Sequence, residues 1–415
     1  MSRTPRIMIV GAGQSGLATA TGLLKSEVDV SVDVFTLHST QEILEGPPRL
    51  TQLTFPTVHQ LERESGLDFW DQISPVFQQI RLAIAPLEGD GQSFTGRQQG
   101  LGTSIDHRAK TAKWLQDVES RGARIHAQTV RSEELTWFAT RGMYDLVLVA
   151  SGAGERRLAE LFTLKHQGSQ RAVIQAHFEG HPPGPDVQVT TTPYGEVFAY
   201  PTLTEFESGP GLFDLTAGTA VQIYAHADGP MDPATAGLAP SHRPERLAHI
   251  WDFAHQQLCE HTPDLAEWTA QAPLVPRSQL LRYVTPEARE PVTAIQGVPI
   301  LGIGDTVLNV DPTSGQGANA STRIAATLAP ALAERIAHYQ PLADANFLQS
   351  VTQNFHEAYG QYTGVFANLV TDFWSQTLDQ QVMERFADNF TDQAQADRMV
   401  AGWDDPSTLG WLLNP

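Results

Sequence analysis

The chain opens with a short apolar run, Arg6 to Val10, which passes directly into Gly11-Ala12-Gly13-Gln14-Ser15-Gly16 and then into a helical stretch to about Lys25. The spacing is GxGxxG. In that pattern the first glycine permits a tight strand-to-helix turn, the second lets backbone approach a pyrophosphate, and the third lets helix and strand pack closely. The following helix presents free N–H groups and a partial positive charge at its N-terminus, which suits phosphate oxygens. Val28 to Phe35 alternates apolar and polar residues with period two and completes a βαβ unit. The spacing therefore predicts a dinucleotide site at Gly11, Gly13, Gln14, Ser15 and Gly16. An acidic residue about 20 positions later normally holds the ribose hydroxyls. Here the strand ends Phe35-Thr36-Leu37-His38, so Thr36 is the candidate.

Residues 106–121 read as an amphipathic helix stopped by Gly122, and 144–151 as a buried strand of a parallel sheet. From about 170 to 230, alternating segments separated by glycine and proline predict antiparallel sheet. Helix is expected again over 241–270, a buried strand over 295–302, and a long alanine-rich helix from about Thr322. The expected fold is α/β. A Rossmann-type domain (residues 1–165 and 291–340) is interrupted by a β-sheet substrate domain (166–290) and followed by a helical C-terminal region (341–415).

Composition narrows the function. The net charge of −20 argues against nucleic acid, whose phosphates are bound by clustered lysine and arginine. The single cysteine, Cys259, excludes a disulfide framework within the chain and thiolate metal clusters. His255, Cys259 and His261 have no evident fourth ligand, so no metal site is expected. No apolar run approaches the roughly 20 residues of a membrane span, and the N-terminal run is too short for a secretory signal. A cytoplasmic protein without a membrane partner is expected. GQSGL is not a nucleophile elbow, because Leu17 stands where the last glycine belongs.

A second glycine loop points to FAD rather than NAD. Gly304-Asp305 follows a buried strand, and VDPTSGQGANAS leads into a helix. A carboxylate at a strand end accepts from ribityl hydroxyls. Gly315 and Gly317 let N–H groups approach a planar ring, and the helix N-terminus at Gly317, Ala318 and Asn319 stabilises negative charge on a reduced flavin. An NAD enzyme has no need of this loop.

GAGQSG, Asp106-x-Arg108, GDTVLNVDPTSGQGAN and Phe386-x-Asp388-Asn389-Phe390 together resemble the styrene/indole monooxygenases over essentially the whole chain. The resemblance implies a glutathione-reductase-like, hydroxylase-type flavoprotein acting as the oxygenase of a two-component system. Reduced FAD would come from an NAD(P)H-dependent flavin reductase and react with O₂ to a C4a-hydroperoxide that epoxidises a π bond of a small aromatic substrate. It further implies catalytic roles for Gln52 and Gln316, and flavin contacts from Arg49, Arg108, Val130 and Pro312. Substrate contacts would come from Thr54, Phe55, Phe198, Tyr200 and Phe213, in a pocket kept dry so that the peroxide is not released unproductively. A homodimer is implied as well. The loop Thr51-Gln52-Leu53-Thr54-Phe55-Pro56 is nearer the indole branch, which favours indole or an indole-like bicycle. Three other readings stay open: a styrene-type epoxidase or sulfoxidase, a single-component NAD(P)H-dependent hydroxylase, and a non-catalytic flavin-binding partner or sensor. Ser151-Gly152-Ala153-Gly154 carries no carboxylate of the kind many single-component enzymes have there, which favours an external reductase.

Overall fold

The computed structural model describes residues 3–152, 156–204 and 215–413. Its first sheet has six strands in the order Val292–Ile295, Val298–Gly302, Leu146–Val149, Arg6–Val10, Ser31–Thr36 and Arg124–Ala127. Arg6–Val10 lies at the centre, parallel to both neighbours, with Ile7 opposite Val32 on one side and Leu146 on the other. Such a strand is covered on both faces, which is why it reads as continuous apolar sequence. Helix Gln14–Lys25 packs on this sheet beside helix Gly317–Ala337. A Cβ on Gly22 would lie 2.6 Å from Ala329 Cβ, so the absent side chain is what lets these helices approach.

Two expected boundaries move. The second strand begins at Ser31, not Val28, and the alanine-rich helix begins at Gly317, five residues before Thr322. The helix starts early because Gly315 takes a left-handed turn (φ +67°) and the chain enters the helix directly behind it.

The second sheet has eight strands: Leu280–Val284, Arg171–Glu179, Thr216–His226, Gly195–Thr204, Val187–Thr192, Val76–Ile84, Gln92–Ile105 and Gln52–Thr54. Residue 166 is therefore not where it begins, because three of its strands come from residues 52–105. VFQQIRLAI and QSFTGRQQGLGTSI alternate irregularly in burial, and their pairing slips between Phe77 and Gln79. A period-two pattern broken in this way is not readable as a strand from sequence alone. One face of this sheet is covered by helices Pro244–His261 and Pro263–Gln271. The other faces the glycine loop and the C-terminal helices Val365–Trp374, Gln380–Ala387 and Gln393–Asp404, where Phe366 stacks on Trp403 at 4.0 Å. Among the described residues no helix is long and apolar enough to cross a membrane.

Candidate active site

A cleft of about 700 Å³ runs along the carboxyl ends of the first sheet and turns under the second. Ligands of open α/β sheets bind at this edge. Its first wall is the turn Gly11, Ala12 and Gly13. Gly11 is at φ +115°, and a Cβ there would lie 2.1 Å from the Ala150 carbonyl oxygen. A Cβ on Gly16 would lie 2.5 Å from the Gly11 oxygen. Both glycines are thus demanded by the turn itself. Gly13 differs: its nearest neighbour is the Ala150 oxygen at 3.6 Å, an ordinary contact. What Gly13 keeps open is the cleft, as close approach of a pyrophosphate would require.

The middle of the cleft is positively charged. Arg49, His107 and Arg282 line it. Burial lowers the Arg49 pKa, and the neighbouring Arg108 and Arg282 lower it further against the pull of Asp106. His107 is pushed down to about 3, by burial first and then by Arg49 and Lys110. Among the described residues neither Arg49 nor Arg282 forms a salt bridge, so an anion here would relieve repulsion between cations. Asp305 lines the same cleft, and burial raises its carboxyl while Arg282 opposes that shift.

At its inner end the cleft meets Gln52 and Asn309, which also border a smaller space walled by Phe198, Tyr200, Pro312, Gly315 and Gly317. Tyr200 donates its hydroxyl to the Thr51 carbonyl at 2.9 Å. Asn319 donates to the carbonyls of Leu53 (2.9 Å) and Gly315 (2.8 Å) and accepts the Phe55 N–H (3.0 Å). That one side chain clamps the 52–55 segment to the glycine loop. Beyond Phe198 lies an apolar cavity between the second sheet and the C-terminal helices.

Several of the expected side chains are turned away from the cleft. Arg108 is buried and grips Asp106 through Nε (3.2 Å) and Nη2 (2.7 Å), and it does not line the cleft; the cations that do are Arg49 and Arg282. Gln14 points away, donating to Glu62, Ala318 and Thr322 beneath the helices. Ser15 is buried against Gly304, and Gly304 faces the opposite side of its loop from the cleft. Thr36 and Val130 do line the cleft, but the Thr36 hydroxyl is turned to the His38 carbonyl at 2.9 Å. Thr54 accepts from Lys110 at 3.2 Å, and Phe55 is fully buried edge-on to Phe77; neither lines the cleft or the smaller space at its inner end. The Gln316 side chain donates to the Trp403 carbonyl at 2.8 Å and accepts from the Tyr359 hydroxyl, so it braces the loop instead of facing a reactant. Phe213 lies outside the described residues. His107, Gln128, Thr129, Arg282 and Asn309 were missed from sequence, because only the sheet topology brings these separate strand and helix ends to one cleft.

No family model matches the chain. Styrene monooxygenase StyA of Pseudomonas fluorescens is 27% identical over 334 residues, spanning 77% of this chain and 75% of the relative. The StyA of a Pseudomonas species is 26% identical over 328 residues, 76% of this chain and 74% of the relative. These support the resemblance to styrene monooxygenases. Among solved structures, the flavin-dependent brominase Bmp2 superposes with TM-score 0.65 at 12% identity over 94% of this chain and 93% of its own. The myxobacterial chondrochloren halogenase CndH gives 0.64 at 14% identity, over 99% and 93%. The 2,6-dihydroxypyridine-3-hydroxylase of Arthrobacter nicotinovorans gives 0.58 at 17%, over 91% and 93%. The fold is that of the flavoprotein hydroxylases.

Proposed function

We infer that this relative of the styrene monooxygenases is an FAD-dependent monooxygenase that takes reduced FAD from a separate NAD(P)H-dependent flavin reductase and epoxidises a small aromatic substrate, indole or an indole-like bicycle. The observation carrying this reading is one run of surfaces, the cleft and the smaller inner space, which share Gln52, Arg282, Asp305 and Asn309 as walls. It starts at the phosphate-type turn Gly11–Gly13, passes Arg49, Arg282 and Asp305, and ends between Gln52 and the Pro312–Gly317 loop, against Phe198 and Tyr200. A dinucleotide fits that sequence of surfaces, with phosphates on glycine turn and cations, ribityl hydroxyls at Asp305, and a ring at the glycine loop.

Bound there with O₂, reduced FAD supplies an electrophilic oxygen atom for transfer to a π bond. Such chemistry asks little acid–base help of side chains. The protein's part is to orient the substrate and exclude water. Phe198 and Tyr200 form the wall on the sheet side, and Asn319 holds the opposing loops at fixed separation. The Gln52 amide borders both the cleft and the inner space, where it would contact the ring.

The test is to mix the protein anaerobically with dithionite-reduced FAD, admit O₂ with indole, and follow flavin absorbance and indigo formation. Indigo is the expected product. Flavin reoxidation without any product from indole, styrene or sulfides would leave a flavin-binding protein and overturn the oxygenase reading. Rapid bleaching of oxidised FAD by NADH or NADPH alone would overturn the need for a separate reductase.

A further inference from the structure

We propose that Arg171 is a positioning residue for the flavin, holding the Pro312–Gly317 loop through Asp311 in the shape that borders the ring space. The proposal rests on the reading above that the ring lies at this loop.

Arg171 opens the second-sheet strand Arg171–Glu179 and is 2% exposed. Its guanidinium reaches across to the glycine loop, where Nε donates to Asp311 Oδ2 at 3.0 Å. The other oxygen of that carboxylate makes the loop. Asp311 Oδ1 accepts the Thr313 N–H (3.0 Å) and the Thr313 hydroxyl (2.8 Å), which caps the turn Pro312–Ser314. The Asp311 carbonyl accepts the Ser314 hydroxyl at 2.7 Å, and that hydroxyl accepts the Gln316 N–H at 3.2 Å. Pro312, Gly315 and Gly317 of the same loop line the ring space. One carboxylate thus shapes the loop with one oxygen and ties it to the sheet with the other.

The guanidinium is itself held in place. His226 stands opposite Arg171 on the neighbouring strand and accepts from Nη1 at 2.8 Å. Burial, then Arg171, pushes the His226 pKa down to about 4 against the pull of Asp311, so near neutral pH the ring is a neutral acceptor. Glu196 is the more distant partner, with Oε2 3.6 Å from Nη1. Burial pushes its carboxyl up to about 8, with Arg171 opposing and Asp311 adding, which weakens its claim on the guanidinium at neutrality. Asp311 is therefore the carboxylate that Arg171 serves. Only arginine satisfies Asp311 and His226 together, because its planar fork presents Nε and Nη donors at fixed angles. Without that cation the Asp311 side chain, 16% exposed, is drawn towards solvent and the turn loses its cap.

FAD titration, followed by flavin fluorescence and absorbance, tests this without turnover. Arg171→Met is expected to weaken FAD binding about ten-fold, and Arg171→Lys, which keeps the charge but one bond fewer, about three-fold. Asp311→Asn is expected to match Arg171→Met. In the Asp311→Asn background, the further loss from either Arg171 variant is expected to vanish to within about two-fold, because the effect runs through Asp311. Should Arg171→Met not fold, the same cycle is run with Arg171→Lys. Losses that multiply in the double variant overturn the proposal. So do variants that melt earlier yet keep wild-type FAD affinity and flavin absorbance, since the cluster would then serve stability alone. Coupled losses in a protein that yields no oxygenated product would sink the monooxygenase reading and leave this assignment standing.

Discussion

Ala318 donates its backbone N–H to Gln52 Oε1 at 2.6 Å. The bond joins the short strand Gln52–Thr54 to the second residue of helix Gly317–Ala337, at the point where both meet the inner end of the cleft. One of the helix's free N–H groups is thus already taken by protein, and the amide that takes it borders the ring space. Gln52→Ala is expected to lose about 1 kcal/mol from the missing bond. The consequence for function is larger, because the loop separation widens where water must be excluded. Calorimetric melting and the ratio of peroxide released to product formed would check both parts. Unchanged coupling with lowered stability would make Gln52 purely structural.

Arg49 and Arg108 are expected to part company on substitution. Arg49 lines the cleft without a salt bridge, so Arg49→Ala is expected to weaken FAD binding about ten-fold or more, with little loss of stability. Arg108 is buried on Asp106, whose carboxyl it holds below the ordinary range despite burial. Arg108→Ala strands that carboxylate and is expected to cost about 3–5 kcal/mol of stability. FAD titration and chemical denaturation of the two variants separate the roles.

The buried pair of His59 and Asp68, 2.8 Å apart, sets a pH dependence. Burial lowers His59, but the hydrogen bonds to Asp68 and Leu101 outweigh it and raise its pKa above 6.5. Burial raises Asp68, but the bond from His59 outweighs it and lowers its pKa below 3.8. The His59 contribution is therefore full below pH 6.5 and fades as pH rises through the raised value. The Asp68 contribution is present above pH 3.8 and fades as pH falls through the lowered value. Melting temperature is expected to decline as pH rises above 6.5 through the raised His59 value. Asp68→Asn should lower it and flatten that decline.

Glu62 and Lys110 meet at 2.7 Å beneath the helices that carry the glycine turns. Burial raises the Glu62 pKa and Lys110 opposes the rise. Stability tied to Glu62 is thus greatest below its unfolded pKa and falls as pH rises through the folded one. Lys110→Met removes the opposing charge and moves that fall to higher pH. A loss of about 3–5 kcal/mol is expected at an alkaline pH, shrinking at an acidic one as Glu62 protonates. Denaturation at both pH values, with Lys110→Met/Glu62→Gln as the rescuing double variant, checks it.

Phe198 separates the ring space from the apolar cavity. Phe198→Ala joins the two and is expected to cost about 3–5 kcal/mol of stability. The same variant is expected to admit larger bicyclic substrates, measured as kcat/KM for indoles with increasing ring substituents. No shift in preference would place the substrate elsewhere.

Much of the cofactor half was legible from residues near one another in sequence. The turn at Gly11 and the αL residue Gly315 are local demands of backbone geometry, so glycine at fixed spacing reveals them. Side-chain direction was not legible. Gln14, Arg108 and Gln316 carry the right chemistry in the right motif, yet each is turned to a neighbour brought in by packing: Thr322, Asp106 and Trp403. The strands Val76–Ile84 and Gln92–Ile105 escaped notice because a slipped register erases the alternation by which strands are read.

The sequence by itself determined the βαβ opening, the second glycine loop and the resemblance to a family, because these depend on short-range backbone geometry and residue spacing. Only the tertiary structure decided which cations face the cleft and that Asn319 ties the 52–55 segment to the glycine loop. The physical reason is that pairing and burial are properties of what packs against a side chain. That neighbour comes from the sheet order, which no local spacing encodes.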